Sequence, residues 1–286
     1  MRNSDYMDPE TFFSHLWQDY IQLAPQAERI QQAFRDRHEP IINDHVAIRT
    51  LNLEPISLSA LEPHLLAMGY QRFEPYRFPE KKLNAWSYVP PDDRLPRLFL
   101  SELDCGALTP PARSILQQIC GQVDPERVRQ ITIFWAGCLW QPIFWADYQT
   151  LLQESEYAAW VASLGLRANH FTLSVNHLKQ ASTLESVLQI VSESGIPMNE
   201  SGGRIKGSPE VLLEQASTLA DRLPVEFAGG EKHVIPTCYY EFARRYPVSN
   251  GRLYQGFVPA SADRIFESTH ASAGLQTSEV SKTSEV

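Results

Sequence analysis

Positive charge is in deficit in this 286-residue chain: Lys+Arg 25 against Asp+Glu 34 gives a formal net charge of −9. That balance repels phosphate backbones and argues against a general nucleic-acid binder. Long apolar runs are missing too. The longest stretch, residues 131–146, is interrupted by Gln141 and Pro142 and is too short and broken to cross a bilayer. Arg2, Asp5, Asp8 and Glu10 stand where a secretory leader would carry a basic segment and an apolar core, so the cytoplasm is the expected location. Cysteine is scarce. Cys105, Cys120, Cys138 and Cys238 form no C-x-x-C pair, which predicts free thiols in a reducing compartment and no zinc-cysteine site. The glycine-rich segment 202–208 has no lysine after Gly207 and no strong parallel strand before it, so it is not a P-loop. It reads as a turn leading into a helix, with Ser208 as N-cap and Pro209 at the first position. Neither a nucleophile elbow nor a dinucleotide fingerprint is visible.

What is present is a folded chain, 43% hydrophobic and 21% charged. Asp8 and Pro9 open a helical N-terminus over 8–37, with Phe13, Leu16, Trp17 and Tyr20 on one face. The β-branched segment 41–50 then predicts a strand, and Ser57 to Met68 a helix closed by Gly69. Residues 167–175 and 183–194 repeat that order about 125 residues later, again with a histidine on the strand and a glycine, Gly195, after the helix. Further strands are expected at 71–78, 83–89 and 97–103 in the first unit, and at 225–227, 233–235 and 237–244 in the second.

The fold class expected is therefore α+β, with two βαβββ-type modules forming a cupped, barrel-like sheet and helices outside. The first module spans 41–104 and the second 167–267, within a single catalytic domain over 1–267. A helical insert over 110–164 carries Trp135, Trp140, Trp145 and Trp160 as packing residues. Residues 268–286, Ser/Thr/Ala-rich with two Thr-Ser-Glu-Val repeats, are expected to be a disordered tail.

Side chains alternate along a strand, so Val46 and Ile48 share one face while His45, Ala47 and Arg49 share the other. Likewise His170, Thr172 and Ser174 lie opposite Phe171, Leu173 and Val175, and Glu241 shares a face with Tyr239 and Ala243. If the three polar faces line one cup, His45, His170 and Glu241 can form a two-histidine, one-carboxylate triad of the kind that binds Fe(II) and leaves positions open for substrate and dioxygen. Arg49 lies about 13 Å of strand rise from His45 on the same face, and its long side chain can present a bidentate donor pair to a substrate carboxylate. His15, His38, His64 and His177 read as surface or capping groups, and His233 is an outside option for the site.

The segments around His45 and Arg49, Asn169-His170-Phe-Thr, Gly202 to Pro209, Leu213 to Arg222 and Tyr240-Glu241-Phe-Ala-Arg244-Arg resemble the 2-oxoadipate dioxygenase/decarboxylase family, also called 2-hydroxyglutarate synthases. The likeness covers nearly all of residues 10–268, in order. It implies a fold like that of vicinal-oxygen-chelate enzymes, with Fe(II) held by His45, His170 and Glu241 and substrate held by Arg49. It also implies substrate contacts at Ala260 and Ser261, in a segment where a larger aliphatic residue is expected in place of Ala260. The implied partners are a small 2-oxo dicarboxylic acid and O2, with neither nucleic acid nor membrane. The implied reaction is oxidative decarboxylation of 2-oxoadipate followed by hydroxylation to 2-hydroxyglutarate, in the context of lysine catabolism. A zinc or nickel lyase or isomerase on the same fold, or a non-catalytic ligand-binding protein, is the alternative.

Overall fold

The structure, a computed structural model, describes residues 7–269. Two helices open it, α1 (Pro9–Tyr20) and α2 (Pro25–Arg35), each with proline in its first turn. The Asp8 carboxylate caps α1 by accepting from Thr11 N. Strand β1 (Asn43–Leu51) leads into α3 (Leu58–Ala67), capped by Ser57 and followed by Gly69 in the left-handed region. Strands β2 (Gln71–Phe78), β3 (Leu83–Val89) and β4 (Arg97–Leu103) complete the first unit.

The insert contains α4 (Pro110–Cys120), α5 (Pro125–Val128), α6 (Trp145–Glu154) and α7 (Glu156–Leu164). Trp140 and Trp160 are buried, and Trp135 and Trp145 pack against the core. Gly165 closes α7 at a positive φ, and its α-carbon lies so near the Gly137 backbone that a Cβ there would sit 2.0 Å from the Gly137 carbonyl carbon.

The second unit runs β5 (Ala168–Ser174), α8 (Leu184–Glu193), β6 (Lys206–Ser208), β7 (Leu213–Ser217), β8 (Arg222–Glu226), β9 (Lys232–Pro236), β10 (Tyr239–Arg245) and α9 (Pro259–Ile265). Thr183 and Ser186 form a capping box at the start of α8. Eight strands make one curled, half-barrel sheet in the order β2-β3-β4-β1-β5-β10-β7-β6. The two halves mirror each other across the antiparallel β1–β5 pair. In each, the outer strands pair antiparallel and the last strand returns parallel to the first, β4 beside β1 and β10 beside β5. A proline-led 3-10 turn followed by a left-handed residue, Lys82 or Leu212, joins β2 to β3 and β6 to β7. The mixed α+β architecture with a curled sheet is the one expected.

Three details differ from expectation. The segment after Ser208 is a single 3-10 turn (Pro209–Val211) between two strands rather than a helix, and Ser208 does not cap it with its side chain. Strands over 222–236 pair only with each other, as a hairpin outside the main sheet, while β7 takes the place beside β10. Ser268 and Thr269, assigned to the tail, are buried in a 3-10 turn (Phe266–Thr269). Ser268 Oγ accepts from Asn199 Nδ2 at 2.9 Å and pairs with Ser217 Oγ at 2.8 Å, which explains why the chain stays packed this far. The remainder of the expected tail, 270–286, lies outside the described residues.

Apolar residues of the sheet's outer face, including Val46, Ile48, Phe171, Leu173, Tyr240 and Phe242, are all buried. Helices α1, α2 and α8 contact β5 and β10. Across the opening, α9 touches both outermost strands, β2 and β6, and so bridges the free edges of the half-barrel.

Candidate metal centre

Strand register brings the polar face together in rows. His45 pairs with Thr172, which pairs with Glu241, which pairs with Ser217. The next row holds Phe99, Ala47, His170 and Tyr239. Arg49, beside Ser101, stands two residues further along β1. In the mirrored halves Phe99 occupies the position that Glu241 holds, so the duplicated scaffold carries a carboxylate on one side only.

His45, His170 and Glu241 are buried, and one ligand atom from each lies within 4.8 Å of the others. His45 Nε2 is 3.5 Å from Glu241 Oε1, and His170 Nε2 is 3.2 Å from Oε2. Each ring is oriented through its other nitrogen by the residue before it: Asp44 Oδ1 at 2.8 Å from His45 Nδ1, and Asn169 Oδ1 at 3.1 Å from His170 Nδ1. A backbone neighbour on the opposite face thereby leaves both Nε2 atoms facing inward, the outer-shell arrangement that metal-ligating histidines require. Gln215 Nε2 donates to Glu241 Oε1 at 2.7 Å, and Oε2 has no hydrogen-bond partner.

The Asp44 carboxylate is anchored in turn by Arg245, through Nε at 2.8 Å to Oδ2 and Nη2 at 2.9 Å to Oδ1. Arg245 also donates to the carbonyls of Tyr254 and Gly256, at 3.0 and 2.7 Å. Those bonds seat the loop whose Phe257 ring lies edge-on to His45, 4.8 Å between centroids.

Electrostatics divides the two histidines. Burial, then the charges of His45 and Arg49, push His170 well below its ordinary value and leave it neutral. Burial acts on His45 in the same direction, but Glu241 and Asp44 outweigh it and raise His45. The two carboxylates thus favour a positive charge at the His45 ring, the place where a divalent cation would supply it instead. The donor set, the orphaned Glu241 oxygen and the inward Nε2 atoms all fit such an ion.

A cavity of about 20 Å³ at the triad is walled by Phe99, Tyr239, Phe257, Ala262, Ile265 and Phe266 among others. A larger pocket of about 480 Å³ opens beside it, with Arg49, Tyr157 and Phe266 in its lining. Phe266 lines both. The Arg49 guanidinium lies over the Tyr157 and Trp160 rings, at 4.9 and 5.1 Å, and Nη2 donates to Thr269 Oγ1 at 3.2 Å. Its Nε and Nη1 are buried without partners among the described residues.

The structure does not bring Ala260 and Ser261 to the cavity. Ala260 is exposed, and Ser261 is buried beside Gly207. Each helical residue turns the side chain by about 100°, so on α9 the faces toward the triad belong to Ala262 and Ile265. His233 is not at the site either. It stacks on Trp145 at 3.8 Å, on the outlying hairpin. Gln215, Asp44, Asn169 and Arg245 carry orienting contacts that alternation alone did not single out. The signal for two of them is an Asx residue before each strand histidine, Asp44-His45 and Asn169-His170.

Residues 12–254 match the family model for 2-oxoadipate dioxygenase/decarboxylase. A rice protein named 2-oxoadipate dioxygenase/decarboxylase, chloroplastic/amyloplastic, is 32% identical over 91% of this chain and 78% of its own. The crystal structure of a rice hydroxyglutarate synthase in complex with 2-oxoadipate superposes with a TM-score of 0.87 at 31% identity, covering 93% of both chains. A Shewanella frigidimarina crystal structure described as a putative hydrolase is 45% identical, with a TM-score of 0.84 over 89% of this chain and 99% of that one. With the family model spanning most of its length, this chain belongs to the 2-oxoadipate dioxygenase/decarboxylase family.

Proposed function

We propose that the protein is an Fe(II)-dependent enzyme converting 2-oxoadipate and O2 to 2-hydroxyglutarate and CO2. The observation that carries this reading is the buried cluster of two histidines and one glutamate, set in a chain of this family. That donor set suits non-haem Fe(II) and leaves coordination positions open. When bound, iron supplies the electron-transfer chemistry by which O2 reacts with a 2-oxo acid.

His45, His170 and Glu241 hold the ion, and Asp44 and Asn169 fix the rings that do so. Arg49, whose Nε and Nη1 have no partner among the described residues, meets a substrate carboxylate in a charge-assisted pairing in a buried place. The aromatic walls of Phe99, Phe257 and Phe266 exclude water around the reacting carbons. Substrate supplies all the electrons, so no second 2-oxo acid is consumed.

The test is oxygen uptake by anaerobically purified, Fe(II)-loaded protein given 2-oxoadipate. Uptake matched one to one by CO2 release is expected. Turnover without oxygen would overturn the dioxygenase reading in favour of a lyase or isomerase. Protein that demonstrably binds iron yet consumes no oxygen would overturn 2-oxoadipate as the substrate.

Arg49→Met should stay folded, because the residue lost is a buried cation with two unsatisfied donors. KM for 2-oxoadipate should rise by about 10- to 150-fold, the value of one hydrogen-bonded charge contact. A drop in melting temperature with unchanged KM would assign Arg49 to structure instead.

A further inference from the structure

We propose that Tyr239 is a further substrate-binding residue, whose hydroxyl donates a hydrogen bond to an oxygen of the 2-oxo acid lying between the triad and Arg49. The inference rests on the function proposed above.

Tyr239 is fully buried, and its hydroxyl has no hydrogen-bond partner among the described residues. Buried phenols ordinarily find one, so an orphaned hydroxyl marks a place where something else is meant to accept. The side chain lines the same cavity as His45, His170 and Glu241. Its position is fixed from two directions. The ring stacks on that of His170, 4.6 Å between centroids and 24° between planes, and the main-chain carbonyl accepts from the Tyr20 hydroxyl. The phenol therefore cannot swing away to find another acceptor without unstacking from His170.

Register places Tyr239 in the row of Ala47 and His170, between the row of Glu241 and the Arg49 position. Ala47 is the smallest side chain on that stretch of β1 and stands on the same face, between His45 and Arg49. A ligand stretched between those two residues passes over Ala47 and beside Tyr239. Two guanidinium nitrogens and one hydroxyl on this part of the sheet, all of them donors, are therefore without partners among the described residues. An oxygen-rich anion satisfies them together.

Tyr239→Phe separates this role from a structural one, because it keeps the ring and its stacking and removes only the orphaned group. Metal-free Tyr239→Phe should melt no lower than the wild type, since no protein hydrogen bond is lost. Fe(II) affinity should be unchanged. Calorimetric titration of the Fe(II)-loaded protein with 2-oxoadipate under argon should show binding about ten- to a hundred-fold weaker than in the wild type. Equal affinity in the two proteins would overturn the proposal alone, and so would a lower melting temperature with equal affinity. A wild type that takes up Fe(II) but fails to bind 2-oxoadipate would overturn the proposed function and this inference with it.

Discussion

Glu241→Gln is expected to abolish 2-oxoadipate-dependent oxygen uptake while leaving the metal-free fold at least as stable as before. The carboxylate is fully buried at the bottom of the cup, with two imidazoles and the Gln215 amide around it and one oxygen without a hydrogen bond. A carboxamide of the same shape removes the burial cost of that charge, so the metal-free protein has little to lose. On the proposed reading, iron loses the one carboxylate of its three side-chain ligands. The affinity loss should exceed the 10- to 100-fold that removing an outer-shell partner of a metal site costs. Melting curves with and without Fe(II) read both halves of the prediction, because metal that binds the native state alone raises the melting temperature. Wild-type protein should gain stability on adding Fe(II), and the variant should gain little. An equal gain in both would remove Glu241 from the ligand set.

Arg245→Met should lower unfolding free energy by about 3–5 kcal/mol, the cost of removing one partner from a buried ion pair. Arg245 is 1% exposed and clamps Asp44 through both carboxylate oxygens, so its loss leaves that buried anion with only the His45 ring and the more distant Arg97 and frees the loop at 254–256. Pairing the change with Asp44→Asn should recover much of the loss, since no unmatched charge then stays behind. Denaturant unfolding of the three proteins measures the coupling directly. The pH dependence carries a definite sign. Burial alone would raise the Asp44 carboxyl, but Arg245, His45 and Arg97 together hold it well below its ordinary 3.8. A group depressed in the folded state adds stability that is full above its unfolded value and is lost progressively as pH falls from there through the folded value. The wild type should therefore keep this contribution into acid, and Arg245→Met should unfold at higher pH than the wild type. Coincident acid transitions would show that the pair does not govern stability.

The first unit was legible because its strands are bounded by glycine and proline and follow an apolar rhythm. Gln71–Phe78, Leu83–Val89 and Arg97–Leu103 fall where that rhythm puts them. In the second unit β6 is only Lys-Gly-Ser and β7 is Leu-Glu-Gln-Ala-Ser, without a β-branched residue between them. Their strand character comes from pairing, β7 with β10 and β6 with β7, a tertiary cause that local propensity does not carry. The strands expected at 225–227 and 233–235 fall on the β8–β9 hairpin instead, because propensity does not say which sheet a strand joins. At the site, alternation placed His45, His170 and Glu241 on polar faces, and the structure brings those faces into one cup. Alternation is silent about residues that act from the strand's other side or its neighbour, which is why Asp44, Asn169, Gln215 and Arg245 emerge only in three dimensions.

Because His45, Ala47 and Arg49 stand on one continuous strand flanked by β4 and β5, their spacing works as a ruler cut into the sheet. On the proposed reading, one end of the ligand is gripped at the triad and the other at Arg49, and no loop can adjust the distance between them. Substrate and product are both dicarboxylates of equal charge, so electrostatic attraction does not tell them apart. The product is one carbon shorter. Once the hydroxyl is in place, the finished product is too short to fill both grips as the substrate did, and the chemistry itself loosens what the site was built to hold.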